Sequence, residues 1–212
     1  MTLDIKICGL KTGEALAAAV DNGASHVGFI FFQKSPRYIA PDEAGRLRQA
    51  RGKAKAVAVT VDADDATLDT IVAAMSPDML QLHGSETPER VSAVKARYGL
   101  PVMKAFSIRD TADLVAIERY RGIADRFLFD AKPPKGAELP GGNGVPFDWS
   151  LLVNTVWTRP WILSGGLTPE NVQAAVAATD AKAVDVSSGV ESAPGRKDPA
   201  RIAAFLDAVR RL

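Results

Sequence analysis

Eight short apolar runs alternate with longer amphipathic segments along this chain, and this alternation limits the possible folds more than any other feature. Most of the runs are nearly continuous stretches of apolar residues, which is typical of strands that are buried on both faces of a parallel sheet. They predict strands over residues 4–8, 26–31, 54–60, 79–82, 102–105, 127–130, 161–164 and 183–187.

The segments between these strands predict helices, because several begin with a capping residue or a proline at a permitted first-turn position. The predicted helices cover residues 12–22, 41–50, 64–75, 86–98, 110–120, 147–154, 169–178 and 199–211. Eight strand–helix units imply βαβ crossovers and a parallel sheet, and they close most naturally into a (β/α)8 TIM barrel. An open doubly wound sheet is the alternative that the pattern leaves open.

We expect residues 1–212 to form one barrel domain. A chain of 212 residues is long enough to bury one substantial core. No low-complexity linker marks a domain boundary. The one stretch rich in proline and glycine, residues 133–146, follows a predicted strand and therefore predicts a loop.

The composition argues against several classes of partner. Lys and Arg number 26 against 25 Asp and Glu, so the net charge is +1 and nothing favours nucleic acid or a membrane surface. No apolar stretch approaches the roughly 20 residues that span a bilayer, and the first residues lack the pattern of a signal peptide. Because Cys8 is the one cysteine, no intramolecular disulfide can form, and we expect a cytoplasmic protein.

Three residues at predicted strand ends could carry protons, and in such a barrel the active site forms at the carboxyl ends of the strands. Cys8 could act as a base if nearby positive charge favours the thiolate, although a free cysteine is often just a small buried residue. Asp130 closes an apolar strand, where partial burial suits a general acid; capping or pairing with Lys132 is the alternative. For His83 we expect a structural or substrate-positioning role, and the absence of a second nearby histidine argues against a metal site.

Two segments with glycine- and serine-rich turns stand at the ends of the last two predicted strands, at residues 164–169 and 185–191. Glycines let backbone N–H groups face an anion, serine adds a hydroxyl donor, and many barrels bind phosphate with these two loops. Each turn alone could be a plain tight turn. Arg37 lies in a loop stiffened by Pro36, where it could present its planar fork to a carboxylate or simply be solvated.

Together these segments resemble the phosphoribosylanthranilate isomerase family, and they follow the family's order over nearly the whole chain. The segments around Cys8 and Ser188 are the most specific. The matching segments are Lys6-Ile7-Cys8-Gly9-Leu10, Gly28-Phe29-Ile30-Phe31-Phe32, Lys34-Ser35-Pro36-Arg37-Tyr38, Gln81-Leu82-His83-Gly84, Phe129-Asp130, Ser164-Gly165-Gly166-Leu167 and Asp185-Val186-Ser187-Ser188-Gly189-Val190-Glu191.

The resemblance implies an Amadori rearrangement in tryptophan biosynthesis, from N-(5-phosphoribosyl)anthranilate to 1-(2-carboxyphenylamino)-1-deoxyribulose 5-phosphate. It implies that Cys8 is the general base, that Asp130 is the general acid and that Arg37 holds the anthranilate carboxylate. It further implies a small phosphorylated substrate, no cofactor and no metal, and a monomer with a dimer as the alternative. The remaining substrate-binding residues that it implies are Gly165, Gly166, Ser188 and Gly189 around the phosphate, with His83 and Asp185 close to the substrate.

Two alternatives stay open at this point. Another phosphosugar enzyme on the same scaffold, such as an epimerase, a synthase that closes the indole ring or an isomerase of histidine biosynthesis, would share the phosphate loops. The histidine enzyme should carry a second glycine-rich turn in its first half, which the loops after strands three and four lack. A non-catalytic barrel that binds a phosphorylated metabolite would also share the fold, although the presence of both Cys8 and Asp130 weighs against it.

Overall fold

The structure is a computed structural model that describes residues 3–132, 141, 148–153, 157 and 159–212. Eight strands form a closed barrel in which each strand pairs in parallel with the next, and β1 pairs with β8 to close the circle. This arrangement confirms the predicted (β/α)8 class. The strands are β1 (Asp4–Cys8), β2 (His26–Ile30), β3 (Lys55–Thr60), β4 (Met79–Leu82), β5 (Val102–Ile108), β6 (Arg126–Ala131), β7 (Trp161–Leu163) and β8 (Ala183–Val186).

Seven α-helices lie between or after the strands in the described ranges, together with three short 3-10 helices. An antiparallel pair of short strands, β9 (Glu191–Ala193) and β10 (Arg196–Lys197), follows the barrel's last strand. The α-helices are α1 (Gly13–Asp21), α2 (Pro41–Arg48), α3 (Asp65–Met75), α4 (Pro88–Tyr98), α5 (Thr111–Ile117), α6 (Val172–Thr179) and α7 (Pro199–Arg210). The 3-10 helices are Glu118–Tyr120, Trp149–Leu152 and Ser188–Val190.

Most predicted helices are slightly too long, mainly because they include the capping residue that precedes the helix. The side chain of Thr12 accepts a hydrogen bond from the Ala15 backbone N–H, so Thr12 caps α1 rather than belonging to it. Asp64 caps α3 in the same way. No α-helix in the described parts of the chain is long and apolar enough to cross a membrane.

The predicted helix over residues 147–154 is wrong over its described part, which forms only a 3-10 helix (Trp149–Leu152) after an Asp148 cap. Residues 147 and 154 lie outside the described residues, as does the predicted loop 133–146 apart from Gly141. The helix predicted at 169–178 begins later in the structure, because Asn171 is bonded to the preceding loop. Its side chain accepts a hydrogen bond from Thr168 N and donates one to Gly166 O. The helix therefore begins only at Val172.

The strand predictions agree in order and differ at their ends. β5 continues to Ile108, three residues beyond the prediction, because residues 106–108 pair with residues 129–131 of β6. β8 ends at Val186, one residue before the predicted end. The pair β9–β10 was not predicted, although Pro194-Gly195 is a strong turn signal.

Successive residues on each strand alternate between the barrel interior and the helices outside, as the pleat requires. Val57, Val59 and Leu128 pack with Cys8 in the interior cluster, whereas Ile7 and Phe129 belong to the layer between strands and helices. Cys8, which ends β1, and Asp130, two residues beyond Leu128, therefore both point inward near the carboxyl ends of their strands.

Candidate active site

A cavity opens at the carboxyl ends of the barrel strands, where the sequence predicted the site. Eight of the nine residues singled out from the sequence line it; Gly189 is the exception within the described lining. The lining residues that carry the argument are Cys8, Arg37, Gln81, His83, Asp130, Ser164, Gly165, Gly166, Asp185 and Ser188.

Cys8 stands at the end of β1 with 5% of its surface exposed. Gly28 of β2 is its neighbour in the parallel register. A Cβ atom at position 28 would lie 3.1 Å from Cys8 Sγ and 3.2 Å from Lys6 Cε, which is tighter than ordinary contacts. Glycine at this position therefore leaves the space that the thiol and the lysine share.

An ion pair lies next to the thiol. Lys6 Nζ is 2.8 Å from Asp185 Oδ1, and both side chains are almost completely buried. Asp185 Oδ2 also accepts a hydrogen bond of 3.0 Å from Ser164 Oγ, so the ends of β7, β8 and β1 are connected. Burial lowers the pKa of Lys6, but Asp185 and Cys8 raise it by more, so the net shift is upward and the amine stays charged.

The thiol of Cys8 is governed by opposing influences. Burial raises its pKa, and the Asp185 carboxylate adds to the rise, whereas the ammonium groups of Lys6 and Lys197 lower it. The net shift is upward from the ordinary thiol value. A thiolate at this position is consequently a stronger base than an exposed one, and it forms at higher pH.

Asp130 lies near the end of β6 with 5% of its surface exposed. Its Oδ1 accepts a hydrogen bond of 2.8 Å from the Ala131 backbone N–H. Lys132 pairs with Asp113, at 2.7 Å, so the structure gives no support to the alternative that Asp130 is its partner. The second oxygen, Oδ2, faces His83 across 3.4 Å.

His83 is held on its other side by Gln81, whose Nε2 lies 2.9 Å from His83 Nδ1. Gly141 lies over this group, because a Cβ there would be 2.5 Å from Asp130 Oδ2 and 2.8 Å from His83 Nε2. The position after β6 therefore accommodates glycine and crowds any larger residue against the proposed acid.

Arg37 does not stand alone in its loop. Its Nε and Nη2 donate to the two oxygens of Glu191, at 2.7 and 2.9 Å, and its exposed fraction is 4%. Lys197 Nζ shares the same carboxylate, 2.8 Å from Oε1, and donates to the carbonyl oxygen of Ser187. Burial raises the pKa of Glu191, but Arg37 and Lys197 lower it by a larger amount, so the net shift is downward. The fork of Arg37 is thus oriented by a buried carboxylate while the residue lines the cavity.

The two predicted phosphate loops follow β7 and β8. Gly165 and Gly166 have φ of 85° and 64°, a conformation that other residues rarely adopt. A Cβ at Gly165 would also lie 2.6 Å from Ala131 N. Gly189 contributes differently, because a Cβ there would overlap the Leu167 carbonyl oxygen; its absence lets the two loops pack together.

Sequence reasoning missed three polar residues of the site: Gln81, Glu191 and Lys197. Gln81 stands in the same motif as His83, and its inward orientation follows from the two-residue strand period. Lys197 and Glu191 gave no such signal, since the hairpin β9–β10 brings them beside Arg37, which is 154 residues from Glu191 in the chain.

Known proteins resemble this chain over almost its whole length. The profile of the family described as N-(5'phosphoribosyl)anthranilate (PRA) isomerase matches residues 5–208. The N-(5'-phosphoribosyl)anthranilate isomerase of Mesorhizobium japonicum is 66% identical over 211 residues, which cover 99% of this chain and 96% of that protein.

Two crystal structures are similar over 100% of both chains. One, described as mutually generated monomers of the dimeric phosphoribosylanthranilate isomerase of Thermotoga maritima, has a TM-score of 0.85 and 33% sequence identity. The other is a phosphoribosyl anthranilate isomerase in complex with reduced 1-(o-carboxyphenylamino)-1-deoxyribulose 5-phosphate, with a TM-score of 0.84 and 32% identity.

Proposed function

The chain belongs to the N-(5'-phosphoribosyl)anthranilate isomerase family and catalyses that isomerisation in tryptophan biosynthesis, and we propose that it does so with Cys8 as general base and Asp130 as general acid. Membership of this family sets aside the other phosphosugar enzymes and the non-catalytic barrel as alternatives. The roles of individual residues are our proposal, and they rest on the geometry of the cavity.

One observation carries the assignment. Cys8 and Asp130 line the same cavity, and they come from β1 and β6, with β7 and β8 between them in the barrel. The glycine- and serine-rich turns that follow β7 and β8 therefore lie on the arc between the proposed base and the proposed acid. A sugar phosphate held by these turns would have one proton-transfer group on each side.

The first chemical step opens the furanose ring. Asp130 gives its proton to the ring oxygen, the bond from that oxygen to the first sugar carbon breaks, and the nitrogen lone pair forms a C=N bond. The product is an open-chain iminium ion, and Asp130 is left as a carboxylate. Asp130 lines the cavity, and its Oδ2 is not held by the Ala131 N–H, so this oxygen can carry the proton that is transferred.

The second step removes the proton from the adjacent sugar carbon. The iminium makes this proton acidic, the Cys8 thiolate accepts it, and the electrons of the broken C–H bond form the C=C bond of an enolamine. The enolamine then loses its enol proton and gains a proton on the first sugar carbon, which gives the ketone with no net change in the atoms of the substrate. Cys8 releases its proton to water and Asp130 regains one from water before the next turnover. We propose that no cofactor is needed, because the substrate's own nitrogen accepts the electrons.

Binding is divided among the remaining residues. Arg37, aligned by Glu191, would bind the anthranilate carboxylate, since a guanidinium fork matches a carboxylate in shape and charge. Gly165, Gly166 and Ser188 would surround the phosphate, and Gly189 would keep their loops in contact. Asp185 and His83 would lie close to the sugar.

We further propose that residues 1–212 act as one barrel domain and that the protein is a cytoplasmic monomer. The one cysteine, Cys8, suits a reducing compartment, and all the residues proposed for catalysis come from a single chain. The dimeric enzyme of Thermotoga maritima makes the dimer the alternative to exclude. Sedimentation at several protein concentrations would decide between them.

A steady-state assay tests the catalytic proposal. Anthranilate and phosphoribosyl pyrophosphate are mixed with the preceding transferase, and consumption of the fluorescent substrate is followed on adding the protein. We expect rapid consumption with the unaltered protein and a kcat that is about 100- to 10,000-fold lower with Cys8→Ala, while KM changes little. Inactivity of the unaltered protein would contradict the function, and a near-normal kcat for Cys8→Ala would remove only the base assignment.

A further inference from the structure

Gln81, His83 and Asp130 form a line of polar groups at the carboxyl ends of β4 and β6. Gln81 Nε2 is 2.9 Å from His83 Nδ1, and His83 Nε2 is 3.4 Å from Asp130 Oδ2. Gln81 is 1% exposed, so the amide and its contact with the ring are buried. The line ends at the carboxyl oxygen that is not held by the Ala131 N–H.

The contact with Gln81 decides where the ring of His83 carries its proton. An amide nitrogen donates and cannot accept, so Nδ1 must offer its lone pair to Gln81 Nε2. A neutral imidazole has one proton, which must then be on Nε2. This nitrogen is buried and has no hydrogen-bond partner of good geometry among the described residues, and it faces Asp130.

This tautomer has a consequence for the acid. With a proton on Nε2, the neutral ring has no lone pair towards Asp130 and cannot take the carboxyl proton. Once Asp130 has given that proton away, the same Nε2–H can donate to the new carboxylate. The gap of 3.4 Å is long for a hydrogen bond, and such contacts commonly shorten when substrate binds and charge develops.

We propose that Gln81 and His83 are positioning residues that reserve the proton of Asp130 for the substrate and stabilise the carboxylate left after its transfer. The inference rests on the proposed role of Asp130 as the acid. The opposite amide orientation would put the ring proton on Nδ1, and Asp130 would then donate to Nε2 instead of to the sugar. The two arrangements predict different ring tautomers, which can be measured directly.

The first test reads the tautomer by long-range 1H–15N NMR of the uniformly 15N-labelled protein. The chain has only two histidines, so the spectrum holds two rings, and His26→Gln identifies the signals of His83. At a pH where the ring carries a single proton, we expect that proton on Nε2 of His83, and a larger share of the other tautomer in Gln81→Met. A proton on Nδ1 in the unaltered protein, or the same tautomer in Gln81→Met, would overturn the inference.

The second test separates positioning from folding. We expect His83→Met to lower kcat about 10- to 100-fold, the range for a lost hydrogen bond to a charged group, with little change in KM. His83→Gln keeps an N–H donor at a similar reach and should recover much of kcat. Gln81→Met should lower kcat, whereas the same change at the exposed helix residue Gln173 should not.

The outcomes distinguish this inference from the function on which it rests. If Asp130→Asn keeps normal turnover, the proposed acid itself is wrong. If Asp130→Asn is inactive while His83→Met keeps a normal kcat, only the positioning role is wrong. Equal loss of kcat in His83→Gln and His83→Met would likewise contradict the donor role, provided that both variants melt at the temperature of the unaltered protein.

Discussion

Lys6 and Asp185 form a buried ion pair beneath the thiol of Cys8, with Nζ 2.8 Å from Oδ1. Their residues are neighbours across the pairing of β1 with β8. The pair therefore joins the first and last strands of the barrel, and its ammonium group lowers the pKa of the proposed base more than Lys197 does. A change at Lys6 or Asp185 should therefore affect both the stability of the barrel and the pKa of Cys8.

Removing one partner of this pair should destabilise the fold. We expect Lys6→Met to lower the free energy of unfolding by about 3–5 kcal/mol, because Asp185 would be left buried without its counter-charge. Urea denaturation measures the change, and Lys182→Met, in an exposed pair with Asp180, serves as the control. The double variant Lys6→Met/Asp185→Leu should recover part of the loss; a double variant as unstable as the sum of both single changes would contradict the coupling.

The pH dependence of turnover should reflect the raised pKa of Cys8. Because the thiolate is the active form and burial raises the thiol pKa, kcat/KM should increase with pH and level off only above the ordinary thiol range. Thiolate absorbance near 240 nm, with Cys8→Ala as the blank, gives the same pKa without substrate, since Cys8 is the one cysteine. A plateau already reached at pH 6 would be incompatible with this assignment.

The proposed acid can be tested by a change of nearly equal size. Asp130→Asn keeps an oxygen that can accept from the Ala131 N–H but has no carboxyl proton, so kcat should fall about 100- to 10,000-fold. KM and the melting temperature should change little. The control is Asp207→Asn, on the exposed face of α7, which should leave kcat unaltered. Normal turnover of Asp130→Asn would rule out the acid role.

The pairing of Arg37 with Glu191 should appear in KM. Arg37→Met removes the proposed carboxylate ligand, so we expect KM to rise about 10- to 100-fold while kcat is largely kept. Glu191→Gln loosens the alignment and should have a smaller effect in the same direction. Arg97→Met, which breaks an exposed arginine–carboxylate pair with Asp69, is the matched control. An unchanged KM in Arg37→Met would exclude it as a substrate ligand.

His26 should make the free energy of unfolding depend on pH in mild acid. Burial lowers the pKa of His26 to about 4, against an ordinary value near 6.5, with Arg126 adding to the shift and Asp4 opposing it. The unfolded chain binds the proton first, so stability should fall as pH drops from about 6.5 towards 4, by at most about 1.4 kcal/mol per pH unit. Urea denaturation of His26→Gln should show a weaker pH dependence over this window; equal slopes in both proteins would argue against it.

Much of the fold could be predicted because buried parallel strands have a clear sequence signal. The run of β7, for example, is apolar on both faces and ends where Ser164 and Gly165 begin. The same logic located Cys8 and Asp130 at strand ends. Strand ends were less certain, as β5 shows, because pairing with β6 extends it through Phe106 and Ser107.

The sequence could not reveal contacts that depend on the closed barrel. Glu191 belongs to a recognised motif, yet nothing in its neighbourhood indicates that it would hold Arg37. The direction of the Cys8 pKa shift depends on the balance between burial and the surrounding charges, and this balance can be judged only from the three-dimensional arrangement. The helix predicted at 147–154 is wrong over its described part for a local reason. Residues 149–152 form a 3-10 helix instead, and the Asp148 side chain caps it by accepting a hydrogen bond from Ser150 N.

The parallel pairing of β1 with β8 also bears on how the protein matures during synthesis. Ser187, which donates a hydrogen bond to the Cys8 carbonyl oxygen, lies 179 residues further along the chain than Cys8 and is therefore synthesised later. Domains generally fold as units when their last elements become available. The nascent chain would thus carry its reactive thiol unprotected while these 179 residues are synthesised, and the catalytic pocket would form only when β8 pairs with β1.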